Sequence, residues 1–203
     1  MSFKETKAFV RAALKNPRQV STVFKSSKYL AQALVNAVDL ENSQRILEIG
    51  CGTGAITKVI QKNIVAIQKQ NPQKSYDYLG VEISQSLVMF LKETFPDLSF
   101  HCGSAGELQS ILEDNSVDSV ISSLPWTLFS RDIREQILNE VLRVLKPGGT
   151  FTTFICTNTF LTPNPYVLKK FFHNKLVNFQ KTEMVFQNIP PSIVYKGNKP
   201  SKI

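Results

Sequence analysis

The 203-residue sequence has no uninterrupted apolar run of the ~18 to 20 residues that a membrane-spanning helix needs. Its first seven residues include two lysines and a glutamate where a signal peptide would have an apolar region, so we predict a cytoplasmic protein. Cysteine is scarce, and three widely spaced cysteines argue against a disulfide framework or a zinc site. We therefore expect no metal, and we expect Cys51, Cys102 and Cys156 to be small buried residues.

Length and composition predict one domain. A chain of 203 residues with 42% apolar content has enough side-chain volume for a single hydrophobic core. We expect one domain over residues 1–203, with a helical segment at 1–40 and an α/β core at 41–203.

Charge is distributed unevenly along the chain. Residues 1–28 and 167–203 each hold seven lysines or arginines against one acid, whereas the middle holds ten against fourteen acids. Basic ends around an acidic centre favour contact of both ends with one anionic partner, either nucleic acid or an anionic membrane face.

The first residues predict a basic amphipathic helix. Lys4, Lys7, Arg11 and Lys15 recur at helical spacing and form one stripe. Apolar residues occupy the adjoining face: Phe3, Phe9, Val10, Ala13 and Leu14. Such a helix can lie in a bilayer interface with its lysines at anionic headgroups, or it can pack on the domain with solvated lysines.

An acidic residue and three alternating glycines follow the first apolar run. The segment Glu48–Gly54 precedes a predicted helix that begins at Ala55, so backbone N–H groups and a helix N-terminus can face an adenosine-type cofactor. Glu48 would repel a pyrophosphate but suits the ammonium of a methionyl group, which favours S-adenosylmethionine over a dinucleotide. Glu82 closes the next apolar run and can accept both ribose hydroxyls of either cofactor.

Predicted strands and helices alternate after residue 45. We predict strands near 45–49, 77–81, 98–102, 117–122, 150–156, 176–185 and 188–195, and helices near 28–38, 55–70, 84–94, 131–145 and 164–173. Strands separated by helices imply a parallel sheet, whereas the last two strands are joined by too few residues for a crossover. The sequence therefore predicts a Rossmann-like α/β fold, with a seven-stranded, mostly parallel sheet closed by a C-terminal antiparallel hairpin.

Several segments resemble a known family. Leu142–Phe151, with its Pro-Gly-Gly turn, resembles the segment before the fifth strand of class I S-adenosylmethionine-dependent methyltransferases. Other segments resemble the bacterial phospholipid N-methyltransferases: Asn16–Val20, Ser26–Ala31, Glu48–Gly54, Leu124–Pro125 and Asn188–Lys196. This resemblance implies methylation of phosphatidylethanolamine towards phosphatidylcholine.

The chain departs from the family pattern at two positions. Lys25 stands where the family usually has a proline before its Ser-Ser pair. Ser104 stands where many methyltransferases have an aspartate that contacts the adenine amine, a role that Glu107 could take.

Cofactor contacts are expected at the carboxyl ends of the first four strands. The expected contacts are Glu48, Gly50, Gly52, Gly54, Glu82, Ile83, Ser104, Ala105, Ser122 and Leu124. The turn Ser122–Trp126 should face the methyl group; it resembles the Asn/Asp-x-Pro-aromatic turn of methyltransferases acting on adenine or glutamine, with Ser123 replacing the amide. Trp126 suits an ammonium headgroup because a ring face attracts a cation. The alternative is a Trp126 that fills the core.

An amine acceptor must lose a proton before it attacks a methyl group. Tyr29 and Tyr195 fall within the family-like segments and are the first candidates to act as base, ahead of His101 and His173. The segment 157–172 is expected to be a lid or a membrane-facing loop over the acceptor site or, alternatively, a core-packing helix.

Taken together, these features predict an S-adenosylmethionine-dependent enzyme that N-methylates phosphatidylethanolamine and its mono- and dimethyl forms. It would bind anionic headgroups peripherally at the inner face of the cytoplasmic membrane. The alternatives are an RNA adenine N6-methyltransferase and a non-catalytic membrane-binding module. Neither nucleic acid nor an obligate protein partner is expected.

Overall fold

The computed structural model describes residues 26–157 and 164–201. The strands are β1 (Arg45–Ile49), β2 (Asp77–Glu82), β3 (Ser99–Cys102), β4 (Val117–Ser122), β5 (Leu145–Cys156), β6 (Val177–Lys181) and β7 (Ser192–Asn198). The helices are α1 (Lys28–Asn36), α2 (Ala55–Gln70), α3 (Gln85–Thr94), α4 (Arg131–Val144) and α5 (Asn164–Lys175). The helix predicted at residues 3–15 lies outside the described residues.

One seven-stranded sheet organises these elements, in the order β3-β2-β1-β4-β5-β7-β6. The first five strands pair in parallel, and β7 runs antiparallel between β5 and β6. The predicted α/β fold with a C-terminal antiparallel hairpin is confirmed. The carboxyl ends of β1 to β4 therefore meet at one edge of the sheet, where ligands bind in folds of this kind.

Two hydrophobic layers cover the sheet because successive strand residues point to opposite faces. On one face, Ile46 and neighbouring strand residues pack against α1, α2 and α3. On the other face, Leu47 and its neighbours pack against α4 and α5. Phe172 of α5 is fully buried in this second layer, so this part of the predicted lid is a core-packing helix.

Helix starts follow the local sequence. The Ser27 hydroxyl accepts a hydrogen bond from the Leu30 N–H at 3.2 Å and caps α1, which therefore begins at Lys28 as predicted. Ser84 caps α3 and Ser130 caps α4 in the same way.

The hairpin strands differ from their predicted bounds. β6 ends at Lys181 rather than at residue 185, and β7 begins at Ser192 rather than at residue 188. Pro190 and Pro191 have no N–H to donate to a strand ladder, so the connection between the strands extends over 182–191. β5 also begins earlier than predicted, at Leu145, because the chain there already pairs with β4.

Cys102 corrects one expectation. Cys51 and Cys156 are buried as predicted, but Cys102 is exposed because it is the last residue of the edge strand β3. Within the described ranges, no helix combines the length and the apolar character that crossing a bilayer requires.

Candidate active site

A cavity of about 250 Å³ opens at the carboxyl ends of the parallel strands. Predicted cofactor contacts that line it are Gly50, Glu82, Ile83, Ser104, Ala105 and Leu124. Other lining residues, which the sequence did not single out as cofactor contacts, include Phe129, Ile133, Gln136 and Ile137. Its volume lies just below the roughly 300 to 1,000 Å³ of small-molecule sites.

The remaining predicted contacts are not among the residues that line this cavity. Glu48 and Ser122 are fully buried, and Gly54 is also buried. Gly52 is partly exposed, and its N–H donates to the Glu82 carboxylate at 2.9 Å.

The glycine loop has a left-handed backbone. Gly50, Gly52 and Gly54 have φ angles of +80°, +55° and +82°, which side chains rarely adopt. A Cβ at Gly50 would lie 2.8 Å from the Cδ2 atom of Leu124. The bare backbone at Gly50 therefore allows the loop to approach the turn after β4 closely, and both line the cavity.

Glu82 connects the glycine loop to α3. Its Oε2 accepts the Gly52 N–H, and its Oε1 accepts the Ser84 N–H at 3.0 Å. A carboxylate has about four acceptor positions, so two remain for hydroxyls in the cavity. This geometry suits the two hydroxyls of a ribose.

Glu48 is the centre of a buried polar cluster. Its Oε2 accepts hydrogen bonds from the Tyr78 hydroxyl at 2.6 Å and from the Thr57 hydroxyl at 2.9 Å. Its Oε1 is buried and has no hydrogen-bond partner among the described residues. Burial raises the pKa of Glu48 to about 7, despite the two hydrogen bonds that lower it. Tyr78 and Thr57 were not predicted as part of the site, because each forms its contact through the fold and not through local spacing.

An unpartnered buried carboxylate oxygen can accept from a cationic group that residues 26–157 and 164–201 do not supply. S-adenosylmethionine has such a group in its methionyl ammonium, and its ribose diol matches Glu82. Its nucleoside also fits a cavity lined by Ile83, Ala105 and Leu124. The residues present therefore fit this cofactor.

The turn after β4 is held rigidly from both sides. The Ser123 hydroxyl donates to the Gly50 carbonyl and so joins this turn to the glycine loop. The Trp126 indole N–H donates to Thr153 Oγ1 at 2.7 Å. Arg134 donates to the Phe129 carbonyl at 2.8 Å.

Trp126 lies in the core beside β5. It is 4% exposed, and its ring contacts Phe129 and Phe151 edge-on. It is not among the residues that line the cavity. This placement matches the alternative in which Trp126 fills the core, and its role towards a headgroup stays a prediction.

The two candidate bases lie in different surroundings. Tyr195 is 6% exposed between Phe172 and Phe179, and burial raises its pKa. Tyr29 is 49% exposed at the start of α1, where Lys28 Nζ lies 5.0 Å from its ring centroid. Only Tyr29 is accessible to a ligand at the surface.

Two family-like segments from opposite ends of the described chain meet in the structure. Asn188 Oδ1 accepts the Ser27 N–H at 2.9 Å across a separation of 161 residues. Asn188 Nδ2 donates to the Pro190 carbonyl at 2.9 Å and to Ser192 Oγ at 3.1 Å. Asn188 is 4% exposed and was not predicted as a functional residue, although its segment was recognised.

Comparisons with known proteins agree with this geometry. The sequence profile of a family described as "Methyltransferase domain" matches residues 46–149. The chain is similar to an ornithine lipid N-methyltransferase of Singulisphaera acidiphila, at 26% identity over 92% of each chain. It is also similar to a ribosomal RNA small subunit methyltransferase A of a Synechococcus species, at 26% identity over 57% of this chain and 40% of that protein.

The fold has solved counterparts. A SAM dependent methyltransferase from Archaeoglobus fulgidus superposes with a TM-score of 0.63 and 14% identity, over 88% of this chain and 97% of that one. The family match covers the glycine loop, Glu82 and the turn after β4, which together form the site described above. The chain therefore belongs to the methyltransferase domain family, and its cofactor is S-adenosylmethionine.

Proposed function

We propose that the protein N-methylates the amine headgroup of a membrane lipid, with phosphatidylethanolamine and its mono- and dimethyl forms as acceptors. The observation that carries this proposal is the similarity to an ornithine lipid N-methyltransferase over nearly the whole of both chains. Phosphatidylethanolamine and ornithine lipid both present a primary amine. The resemblance of the Ser26–Ala31 and Asn188–Lys196 segments to phospholipid N-methyltransferases favours phosphatidylethanolamine.

The chemistry requires positioning more than covalent help from the chain. Bound S-adenosylmethionine supplies a methyl group on a sulfonium, and the new N–C bond forms as the S–C bond breaks. The turn held by Ser123, Trp126 and Arg134 is rigid, so it can keep an amine nitrogen in line with that methyl group. A lipid amine with a pKa near ~10 must first release a proton, for which Tyr29 is the accessible candidate and water the default acceptor.

An exposed apolar face supports docking on a membrane. Phe186 is 70% exposed and Ile189 is 88% exposed in the 182–191 connection, and Tyr29 lies at the start of α1. The Asn188–Ser27 hydrogen bond holds these two segments together. β7 begins beside the end of β5, so the connection lies at the same edge of the sheet as the cavity. We propose that this face meets the bilayer beside the acceptor site.

The first experiment identifies the acceptor. Purified protein and radiolabelled S-adenosylmethionine are incubated with phosphatidylethanolamine vesicles, with ornithine lipid vesicles and with ribosomal RNA. We expect label in methylated phosphatidylethanolamines, and more label when anionic lipid is present because the chain has a net charge of +8. Label only in ornithine lipid would support lipid N-methylation but contradict phosphatidylethanolamine as the acceptor. Label only in RNA, or in no substrate, would reject lipid methylation.

A second experiment tests the docking face. The variant Phe186→Ser with Ile189→Ser should lose about tenfold or more of its binding to anionic vesicles, because two large apolar side chains no longer enter the interface. Its affinity for S-adenosylhomocysteine should not change, since neither residue lines the cavity. Val177→Ser is the matched control, because Val177 is 44% exposed and pairs with Asn198 at the opposite edge of the sheet. Equal vesicle binding by the double variant and the control would contradict this docking face.

A further inference from the structure

The loop after β3 lacks the acidic side chain that the resemblance to methyltransferases implies for an adenine site. Ser104 occupies that position, and its hydroxyl accepts the Gly106 N–H at 3.1 Å, so it is already used in the local turn. The exocyclic amine of adenine is a donor and needs an acceptor in a closed site, because an unpaired polar group there costs binding energy.

Gln136 of α4 presents an acceptor at the right place. Its side chain lines the cavity and packs over Gly106, where an added Cβ would lie 3.1 Å from Gln136 Cδ. Gln136 Nε2 donates to the Gly106 carbonyl at 2.8 Å. This bond fixes the orientation of the amide, because a carbonyl can only be met by the nitrogen. Oε1 of Gln136 is thereby left as an acceptor, with no hydrogen-bond partner among the described residues.

The neighbouring backbone completes the pattern that adenine requires. The Ala105 N–H donates to no residue in the described part of the chain, and Ala105 lines the same cavity. An N–H donor and an amide oxygen acceptor that line one cavity match the ring nitrogen and the amine on the Watson–Crick edge of adenine.

We propose that Gln136 selects adenine by accepting a hydrogen bond from its exocyclic amine through Oε1, in place of the missing acidic residue at position 104. Glu107 is the rival, since it also lines the cavity. Its side chain is exposed and makes no hydrogen bond within the described residues, so fixing it on a ligand would cost side-chain entropy. Gln136 is already held by Gly106 and loses little on binding.

The test compares two ligands by isothermal titration calorimetry. S-adenosylhomocysteine carries the amine, and its purine riboside analogue has a hydrogen in place of the amine and keeps the ring nitrogen as an acceptor. The protein should prefer S-adenosylhomocysteine by about 10- to 100-fold, because the second ligand would leave the Gln136 oxygen without a donor. In Gln136→Met, which keeps the shape of the side chain, the preference should fall to about threefold or less. Glu107→Met, which removes the rival acceptor, should keep the preference.

Two further variants distinguish a specific loss of the preference for adenine from a loss of folding. Ser104→Asp, added to Gln136→Met, should restore the preference by supplying the acidic acceptor. Gly106→Ala retains Gln136 but pushes its amide away by a few tenths of an ångström, so it should reduce the preference several-fold. A wild-type protein without a preference, or a Gln136→Met or Gly106→Ala variant that keeps the full preference, would overturn the proposal. Loss of the preference in Glu107→Met alone would transfer the role to Glu107.

Discussion

Replacing Glu48 with glutamine should weaken the binding of S-adenosylmethionine about 100-fold or more. The Glu48 carboxylate is fully buried with an unpartnered Oε1, and the cofactor brings an ammonium that can pair with it. Removing one charge of a buried pair leaves the other uncompensated, which costs about 3 to 5 kcal/mol. Titration calorimetry at pH 8 measures this loss directly.

The same substitution should stabilise the cofactor-free protein although it weakens cofactor binding. The pKa of Glu48 rises from 4.5 to about 7 on folding because burial disfavours the carboxylate. Below pH 4.5 the Glu48 carboxyl is protonated in both the folded and the unfolded protein, so its burial does not lower the free energy of unfolding. Between pH 4.5 and about 7 the unfolded chain loses this proton first, so the free energy of unfolding decreases by on the order of 3 kcal/mol as the pH rises.

Urea denaturation of the cofactor-free protein at pH 5 and pH 8 tests this prediction. The wild-type protein should be less stable at pH 8, whereas Glu48→Gln should lack this contribution and exceed the wild type there. Tyr78→Phe is a useful control, because it removes one hydrogen bond to the carboxylate and retains its charge. Full cofactor affinity in Glu48→Gln would contradict a role of Glu48 in binding.

Replacing Gly54 with alanine should destabilise the protein by about 2 to 5 kcal/mol. A Cβ at this position would lie 2.5 Å from Phe95 Cε2 and 3.1 Å from Leu91 Cδ2. The backbone there also has a φ of +82°, so the left-handed conformation adds about 1 to 2 kcal/mol to an overpacking cost of about 1 to 3 kcal/mol.

Gly52→Ala is the matched control for this prediction. It has a similarly positive φ of +55°, but the nearest atom to its added Cβ is the Gly50 carbonyl oxygen at 3.9 Å. Only the backbone cost of about 1 to 2 kcal/mol should remain. Equal losses of stability in the two variants, measured by urea denaturation, would show that the contact with Phe95 does not matter.

The sequence predicted the parallel half of the fold most accurately. β1 and β4 have the predicted bounds because short apolar runs end there at glycine or turn residues, and α2 begins at Ala55 directly after Gly54. The hairpin was placed less well, since alternation in 176–195 does not reveal which residues pair. Pro190 and Pro191 indicate that no strand begins before Ser192, because proline has no N–H to donate to a neighbouring strand.

The sequence predicted those site residues that lie at the end of a recognisable strand. Gly50 directly follows β1 and Glu82 is the last residue of β2, and the structure places both at the cavity. Tyr78 and Gln136 belong to a strand and a helix whose spacing carries no sign of ligand contact. Their contacts with Glu48 and Gly106 arise only from the packing of distant segments. Trp126 was ambiguous for a different reason. The sequence around an aromatic residue at a turn is the same whether its ring contacts a ligand or packs in the core.

The hydrogen bond between Ser27 and Asn188 can form only late in the synthesis of the chain. Its partners are 161 residues apart, so a chain emerging from the ribosome presents Ser27 long before Asn188 is synthesised. The residues that line the cofactor cavity all precede residue 138. The junction at the start of α1 can therefore close only after residue 188 has been synthesised, later than every residue of the cofactor cavity has emerged.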